Sequence, residues 1–183
     1  MNLPNKLTVL RVILVPFFVL FLLGADYMGP FSPYIALIIF IVASLTDMLD
    51  GKIARKYNLI TNFGKFMDPL ADKMLVLSAM CYFVEVGLMP GWVVAVVLLR
   101  EFGVSGLRLL AVEQGIVIAA AWSGKIKTGV TMVALGILII ATQPWFPAPQ
   151  VVAVICWVLI LVTTLYSGIE YFVKNINVFK HCA

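Results

Sequence analysis

Residues 46–73 read TDMLDGKIARKYNLITNFGKFMDPLADK and contain four aspartates, Asp47, Asp50, Asp68 and Asp72. The whole chain of 183 residues is 63% hydrophobic and only 12% charged, so this concentration of carboxylates is unusual for its surroundings. The first two aspartates are three residues apart and the last two are four apart. On helices, both spacings place the paired side chains on one face. The polar segment 57–64 predicts a turn, and we expect an antiparallel helical hairpin that brings the four carboxylates together.

The remainder of the chain is dominated by apolar segments. Such a composition is typical of a membrane protein rather than a soluble domain, and a membrane-spanning helix needs about 20 residues. The length therefore predicts one all-α membrane domain over residues 1–183 with six transmembrane helices. Residues 2–9 are expected to form a short segment at the membrane surface. The six predicted spans are 10–24, 31–48, 70–89, 91–112, 128–143 and 149–170.

The basic residues are distributed asymmetrically about these spans. All 13 lysines and arginines fall at the N-terminus, around the second and fourth connections, or near the C-terminus. The connections near 25–30, 85–91 and 143–149 contain none. Because cytoplasmic loops carry the excess of Lys and Arg, both termini and the four aspartates are expected on the cytoplasmic side.

Four converging carboxylates would repel one another, and a divalent cation would relieve that repulsion. Oxygen ligands without His or Cys favour Mg²⁺, Mn²⁺ or Ca²⁺ over zinc or copper. Two ions can share four carboxylates and bind a phosphoryl group between them. Small residues at Gly51, Ala54 and Gly64 would let a bulky ligand approach the backbone, and Arg55 is suited to bind a phosphate oxygen. The alternative is a set of helix-end charges that pair with neighbouring lysines and arginines.

The spacing Asp47-x2-Asp50-Gly51-x2-Ala54-Arg55-x8-Gly64-x3-Asp68-x3-Asp72 resembles the signature of the CDP-alcohol phosphatidyltransferase family at every fixed position. The resemblance implies that family's fold, with six membrane helices, usually in a homodimer, and a site open to the cytoplasm. It also implies that the four aspartates bind Mg²⁺ or Mn²⁺, with two ions, and that Asp72 is the general base. Gly51, Ala54, Arg55 and Gly64 would line the CDP site, and Asn5 and Thr8 would close over it.

Flanking segments are similar to the bacterial phosphatidylglycerophosphate synthases of that family. They begin at Leu3, Arg100 and Gly124, so the similarity covers essentially the whole chain. This branch implies transfer of a phosphatidyl group from CDP-diacylglycerol to sn-glycerol 3-phosphate, with release of CMP, in the bacterial cytoplasmic membrane. The acceptor phosphate would need fixed positive charge, which Arg100, Arg108, Lys125 and Lys127 could supply. Arg100 and Arg108 are about two helical turns apart and share a face.

Other functions remain open on the residues alone. The same chemistry could use inositol phosphate or serine as the acceptor. A divalent-cation transporter would place acids at the membrane midplane or on both sides, whereas the outer half here has only Asp26 and Glu85. A non-catalytic scaffold could retain the signature. The three cysteines lack the spacing of a disulfide framework or a zinc motif, and no nucleic-acid partner is expected.

Overall fold

The structure is a computed structural model that describes residues 2–56, 62–115, 118 and 121–176. Within these ranges the regular secondary structure is entirely helical. Six long helices correspond to the six predicted apolar segments, and a four-residue helix follows the first of them. The helices are α1 Leu3–Leu23, α2 Ala25–Met28, α3 Ser32–Lys56, α4 Asn62–Glu85, α5 Gly91–Glu113, α6 Trp122–Ala141 and α7 Pro149–Lys174.

Several helix boundaries differ from the prediction. The expected surface segment 2–9 is not separate, because α1 begins at Leu3 and runs without a break to Leu23. Helix α3 continues to Lys56 and α4 begins at Asn62, so most of the polar sequence between the predicted spans is helical. A window of apolar residues marks only the hydrophobic part of a helix, while backbone hydrogen bonding continues into its polar ends.

Glycine and proline set two of the helix ends. Pro149 lies in the first turn of α7, where the missing amide hydrogen costs nothing because that position has no helical acceptor. Gly115 follows α5 with a φ of +71°, a backbone conformation that glycine adopts without strain. Pro149 thus marks the start of α7, and Gly115 follows the end of α5.

The packing centres on α1, which contacts both α3 and α4. Among the described residues, α3 and α4 contact each other less than either contacts α1. Helix α6 packs against α7 and α3, and α5 packs against α7. Phe18, Phe40 and Phe83 are almost fully buried in the main core. Residues of α3, α4, α5, α6 and α7 line one common cavity.

The outer surface of the helices is strongly apolar. Ile38, Leu99, Val133 and Ile169 are each at least 60% exposed, on four different helices. Exposed apolar surface on this scale marks a protein that contacts other apolar material. Three described helical segments are long and apolar enough to cross a membrane, namely Asn5–Leu23, Trp122–Ala141 and Pro149–Lys174. Ser32–Asp47 is a shorter apolar helical segment. These features indicate a membrane protein.

Candidate active site

Asp47 and Asp72 line one cavity of about 750 Å³. Asp47 lies in the second half of α3 and Asp72 lies in the third turn of α4. Both side chains are partly buried. These two of the four predicted carboxylates therefore lie at the same cavity. The other polar residues that line the cavity are Ser44, Lys73, Arg100, Glu101, Ser105, Arg108, Lys125, Thr128 and Tyr171.

The remaining signature residues lie partly outside the described structure. Helix α3 is continuous through Asp50 and helix α4 is continuous through Asp68, so the helical spacing assumed for both pairs is correct. The side chains of these two residues are outside the described part of the chain, as are those of Gly51, Ala54, Arg55 and Gly64. Among the described side chains there is no group of three potential metal ligands. Convergence of all four aspartates therefore stays a prediction.

The described carboxylates fit a hard divalent cation. Asp47 and Asp72 offer oxygen atoms only, and no described His or Cys lines the cavity with them. Mg²⁺ and Mn²⁺ prefer such ligands and keep other coordination positions for substrate oxygens. The cavity is large enough to hold more than the ion alone. The carboxylate oxygens of Asp47 and Asp72 are thus compatible with the predicted Mg²⁺ or Mn²⁺.

Arg11 is a residue whose contact the sequence did not reveal. Its side chain is completely buried, and its Nη1 atom donates a hydrogen bond of 2.6 Å to Oδ1 of Asp47. Asn5 and Thr8 precede it by two turns and one turn of α1, and both are also buried. In the sequence Arg11 was one of two basic residues near the N-terminus and the end of the flanking motif that begins at Leu3. The structure places it as an ion-pair partner of a signature aspartate.

Arg100 and Arg108 of α5 both line the cavity, as their spacing predicts. Arg100 donates from Nη1 to Oε1 of Glu101 at 2.9 Å. Arg108 donates from Nε to the hydroxyl oxygen of Tyr171 at 2.9 Å, and its guanidinium lies 5.4 Å from the centre of the Tyr171 ring. One arginine therefore shares its charge with a carboxylate, while the other contacts a neutral group.

The structure separates Lys125 from Lys127. Lys125 is exposed, lines the cavity and lies 4.8 Å from the ring centre of Trp122. Lys127 is buried and donates to Oε1 of Glu101 at 2.6 Å. It lines a small adjoining cavity of about 30 Å³ that also contains Asp72. Residues two apart on a helix face different directions. The different surroundings of the two lysines are consistent with that spacing.

Lys73, Glu101 and Ser105 form a polar network that the sequence did not assign to the site. Lys73 donates to the Ser105 hydroxyl at 2.5 Å and approaches the backbone oxygen of Glu101 at 3.5 Å. Glu101 accepts from both Arg100 and Lys127. A charged residue within an apolar helix is costly unless it is paired. The charges of Lys73 and Glu101 therefore already indicated that each residue has a partner.

Comparison with known proteins places this site in a family. The model of the CDP-alcohol phosphatidyltransferase family matches residues 1–166. The chain belongs to that family. A Bacillus subtilis protein named CDP-diacylglycerol–glycerol-3-phosphate 3-phosphatidyltransferase is 42% identical over 192 aligned residues, covering 98% of this chain and 97% of that protein.

Two further relatives show the same extent of similarity. An Escherichia coli protein with the same name is 40% identical, with coverage of 93% of this chain and 92% of that protein. A Mycobacterium tuberculosis protein named as a probable phosphatidylglycerophosphate synthase is 39% identical, with coverage of 96% and 82%. The similarity therefore extends from the signature through the cationic residues of α5 and α6.

Proposed function

We propose that this protein transfers the phosphatidyl group of CDP-diacylglycerol to sn-glycerol 3-phosphate, which gives phosphatidylglycerol phosphate and CMP. The observation that carries the proposal is the shared cavity of Asp47, Asp72, Arg100, Arg108 and Lys125. It combines carboxylates suited to a metal ion with cations suited to an acceptor that bears its own phosphate. The names of the relatives described above support the same reaction.

The metal site in this proposal consists of Asp47, Asp50, Asp68 and Asp72, which hold two Mg²⁺ or Mn²⁺ ions. Ions held there would supply positive charge that offsets the charge of the diphosphate and of the leaving CMP. Arg11 holds the Asp47 carboxylate in place through its 2.6 Å bond. A fixed carboxylate loses less conformational entropy when it binds a cation, because its orientation is already set.

Asp72 is also the general base. Its carboxylate accepts the proton of a hydroxyl group of sn-glycerol 3-phosphate as that oxygen attacks the β-phosphorus of CDP-diacylglycerol. The new oxygen–phosphorus bond forms while the bond to CMP breaks. Phosphoryl transfer of this kind depends mainly on positioning and on electrostatic stabilisation. The mixed polar and apolar lining of the cavity suits a substrate with a charged head and lipid tails.

The two substrates occupy different parts of the site. Asn5, Thr8, Gly51, Ala54, Arg55 and Gly64 bind the CDP group, as the family signature and the buried α1 face suggest. Arg100, Arg108 and Lys125 bind the acceptor phosphate. Lys127 faces Glu101 rather than the large cavity, so we assign it the role of holding Glu101 and, through it, Arg100.

We further infer that all six long helices cross the bacterial cytoplasmic membrane, with both termini and the site on the cytoplasmic side. The positions of the 13 basic residues support this orientation. Helix α5 carries charged residues but presents exposed Leu99, Leu109 and Val112 outward, which suits a lipid environment. The active form is a homodimer, as is usual for the family that the sequence resembles.

Acceptor competition tests the function. Purified protein receives CDP-diacylglycerol and Mg²⁺, and CMP release is measured with sn-glycerol 3-phosphate, inositol phosphate or serine in turn. We expect release with sn-glycerol 3-phosphate and loss of that release in Asp72→Asn. Glu85→Gln is the matched control, because Glu85 is an exposed acid at the far end of the same helix. Release with a different alcohol would overturn the assigned acceptor and keep the chemistry.

A further inference from the structure

The last helix contributes a residue that contacts one of the cavity arginines, Arg108, but belongs to none of the motifs discussed so far. Tyr171 of α7 is 3% exposed, lines the cavity and accepts a hydrogen bond of 2.9 Å from Nε of Arg108. The two residues are 63 positions apart in the chain. This contact joins the C-terminal helix to the proposed acceptor site.

The Tyr171 ring is held rigidly. It packs in a small core with Val104, Leu107 and Ala111 of α5, each no more than 5% exposed. The side-chain amide of Asn175 donates to its backbone oxygen at 2.7 Å. A buried tyrosine usually finds a partner for its hydroxyl group. Here the partner is the guanidinium of Arg108, which lines the cavity, so a buried ring sets the direction of an exposed side chain.

The partner of Arg108 is electrically neutral. Arg100 shares its charge with Glu101, whereas Arg108 has no carboxylate within ion-pair distance among the described residues. Tyr171 uses only the Nε–H donor. The guanidinium carries five N–H donors in a fixed fork, so its terminal nitrogens can still bind a phosphate in bidentate fashion. A neutral acceptor orients the arginine without cancelling the charge that an anion would need.

We propose that Tyr171 is a positioning residue that orients Arg108 toward the phosphate of the acceptor and so sets the affinity for that substrate. This inference rests on the proposed function, since it takes sn-glycerol 3-phosphate as the acceptor. It adds a role for α7. Tyr171 itself contacts neither substrate in this account and acts through Arg108.

The test compares Tyr171→Phe with wild type and with Tyr166→Phe in the CMP-release assay. Tyr166 lies on the same helix but is 66% exposed, and it serves as the matched control. We expect Tyr171→Phe to raise the KM for sn-glycerol 3-phosphate about 3- to 10-fold, the range expected for one hydrogen bond. The kcat and the KM for CDP-diacylglycerol stay within about twofold of wild type, because Phe preserves the ring packing. The control keeps all three values.

A double-mutant cycle with Arg108→Ala separates positioning from a general structural effect. If Tyr171 acts through Arg108, Tyr171→Phe has no further effect on KM in the Arg108→Ala background. Arg108→Lys is a second test, which changes the arginine and leaves Tyr171 intact. Lysine keeps the charge but cannot form the planar fork, so it should also raise the KM for the acceptor.

Each outcome is decisive. An unchanged acceptor KM in Tyr171→Phe would overturn the inference. So would an equal rise in KM on adding Tyr171→Phe to the wild type and to Arg108→Ala. If Tyr171→Phe failed to fold, as judged by thermal unfolding, a normal acceptor KM in Arg108→Lys would overturn it instead. A wild-type protein that released no CMP with sn-glycerol 3-phosphate would overturn the proposed function and this inference with it. If the wild type released CMP with sn-glycerol 3-phosphate and Tyr171→Phe had a normal KM for it, the proposed function would stand and only this inference would be overturned.

Discussion

Arg11 of α1 and Asp47 of α3 form an ion pair of 2.6 Å, in which the arginine side chain is completely buried and the aspartate side chain is 35% exposed. The pair connects the N-terminal helix to the first residue of the aspartate signature. Breaking one side of a buried pair leaves the other charge without its compensation. The contact therefore contributes both to the packing of α1 and to the position of Asp47.

Replacement of Arg11 tests that contact. Arg11→Met keeps most of the apolar stem and removes the charge. We expect it to lower the thermal unfolding midpoint by several degrees and CMP release by at least about tenfold, because Asp47 loses a charge-assisted bond. Lys6→Met is the control, since Lys6 is exposed on the same helix. Equal effects of the two substitutions would show that the pair has no special role.

Removal of divalent cations tests the metal site. We expect a chelator to abolish CMP release and either Mg²⁺ or Mn²⁺ to restore it, because the predicted ligands are carboxylate oxygens. Asp47→Asn should raise the Mg²⁺ concentration needed for half-maximal activity, since it removes one charged ligand. Glu85→Gln, which changes an exposed acid far from the cavity, should leave that concentration unchanged. Full activity in the chelator would exclude the metal site.

The same substitution should have different effects at Lys125 and at Lys127. Lys125→Met should raise the KM for sn-glycerol 3-phosphate about fivefold, as expected for loss of one charged contact, and should change the unfolding midpoint little. Lys127→Met should lower the unfolding midpoint, because it leaves Glu101 with one partner fewer in a buried setting. Both KM and thermal unfolding are measured for each variant. A larger stability loss for Lys125→Met would contradict the structure.

Gly168 tests the position of Arg100. A Cβ atom at Gly168 would lie 3.1 Å from Cγ of Arg100, so Gly168→Ala must push the arginine side chain aside. We expect the KM for sn-glycerol 3-phosphate to rise about threefold, which is equivalent to roughly 0.65 kcal/mol. Gly106→Ala on α5 is the control, because a Cβ atom at Gly106 would meet no heavy atom within 4 Å. An unchanged KM in Gly168→Ala would mean that Arg100 accommodates the methyl group without leaving its site.

Local spacing in the sequence predicted the elements that depend on neighbouring residues. The intervals Asp47 to Asp50 and Asp68 to Asp72 require helices, and α3 and α4 pass through all four positions. The two-turn interval between Arg100 and Arg108 correctly placed both on the cavity. The six apolar segments each became one long helix, although their polar ends extended further than hydropathy indicated.

Long-range contacts were not accessible in this way. Arg11 and Asp47 are separated by 36 residues, and Arg108 and Tyr171 by 63. No periodicity links such pairs, because each pair lies on two different helices that meet only when the bundle packs. Tyr171 belongs to no sequence motif, and it meets Arg108 only because α5 packs against α7.

Identification of the lipid product tests the central claim most directly. Wild-type protein in detergent is incubated with CDP-diacylglycerol, Mg²⁺ and sn-glycerol 3-phosphate, and the lipids are analysed by mass spectrometry while CMP is quantified. We expect phosphatidylglycerol phosphate and CMP in equal amounts, and neither product in Asp72→Asn. Phosphatidic acid with CMP would mean that water, not the alcohol, is the acceptor. That result, or the absence of any new lipid, would contradict the account.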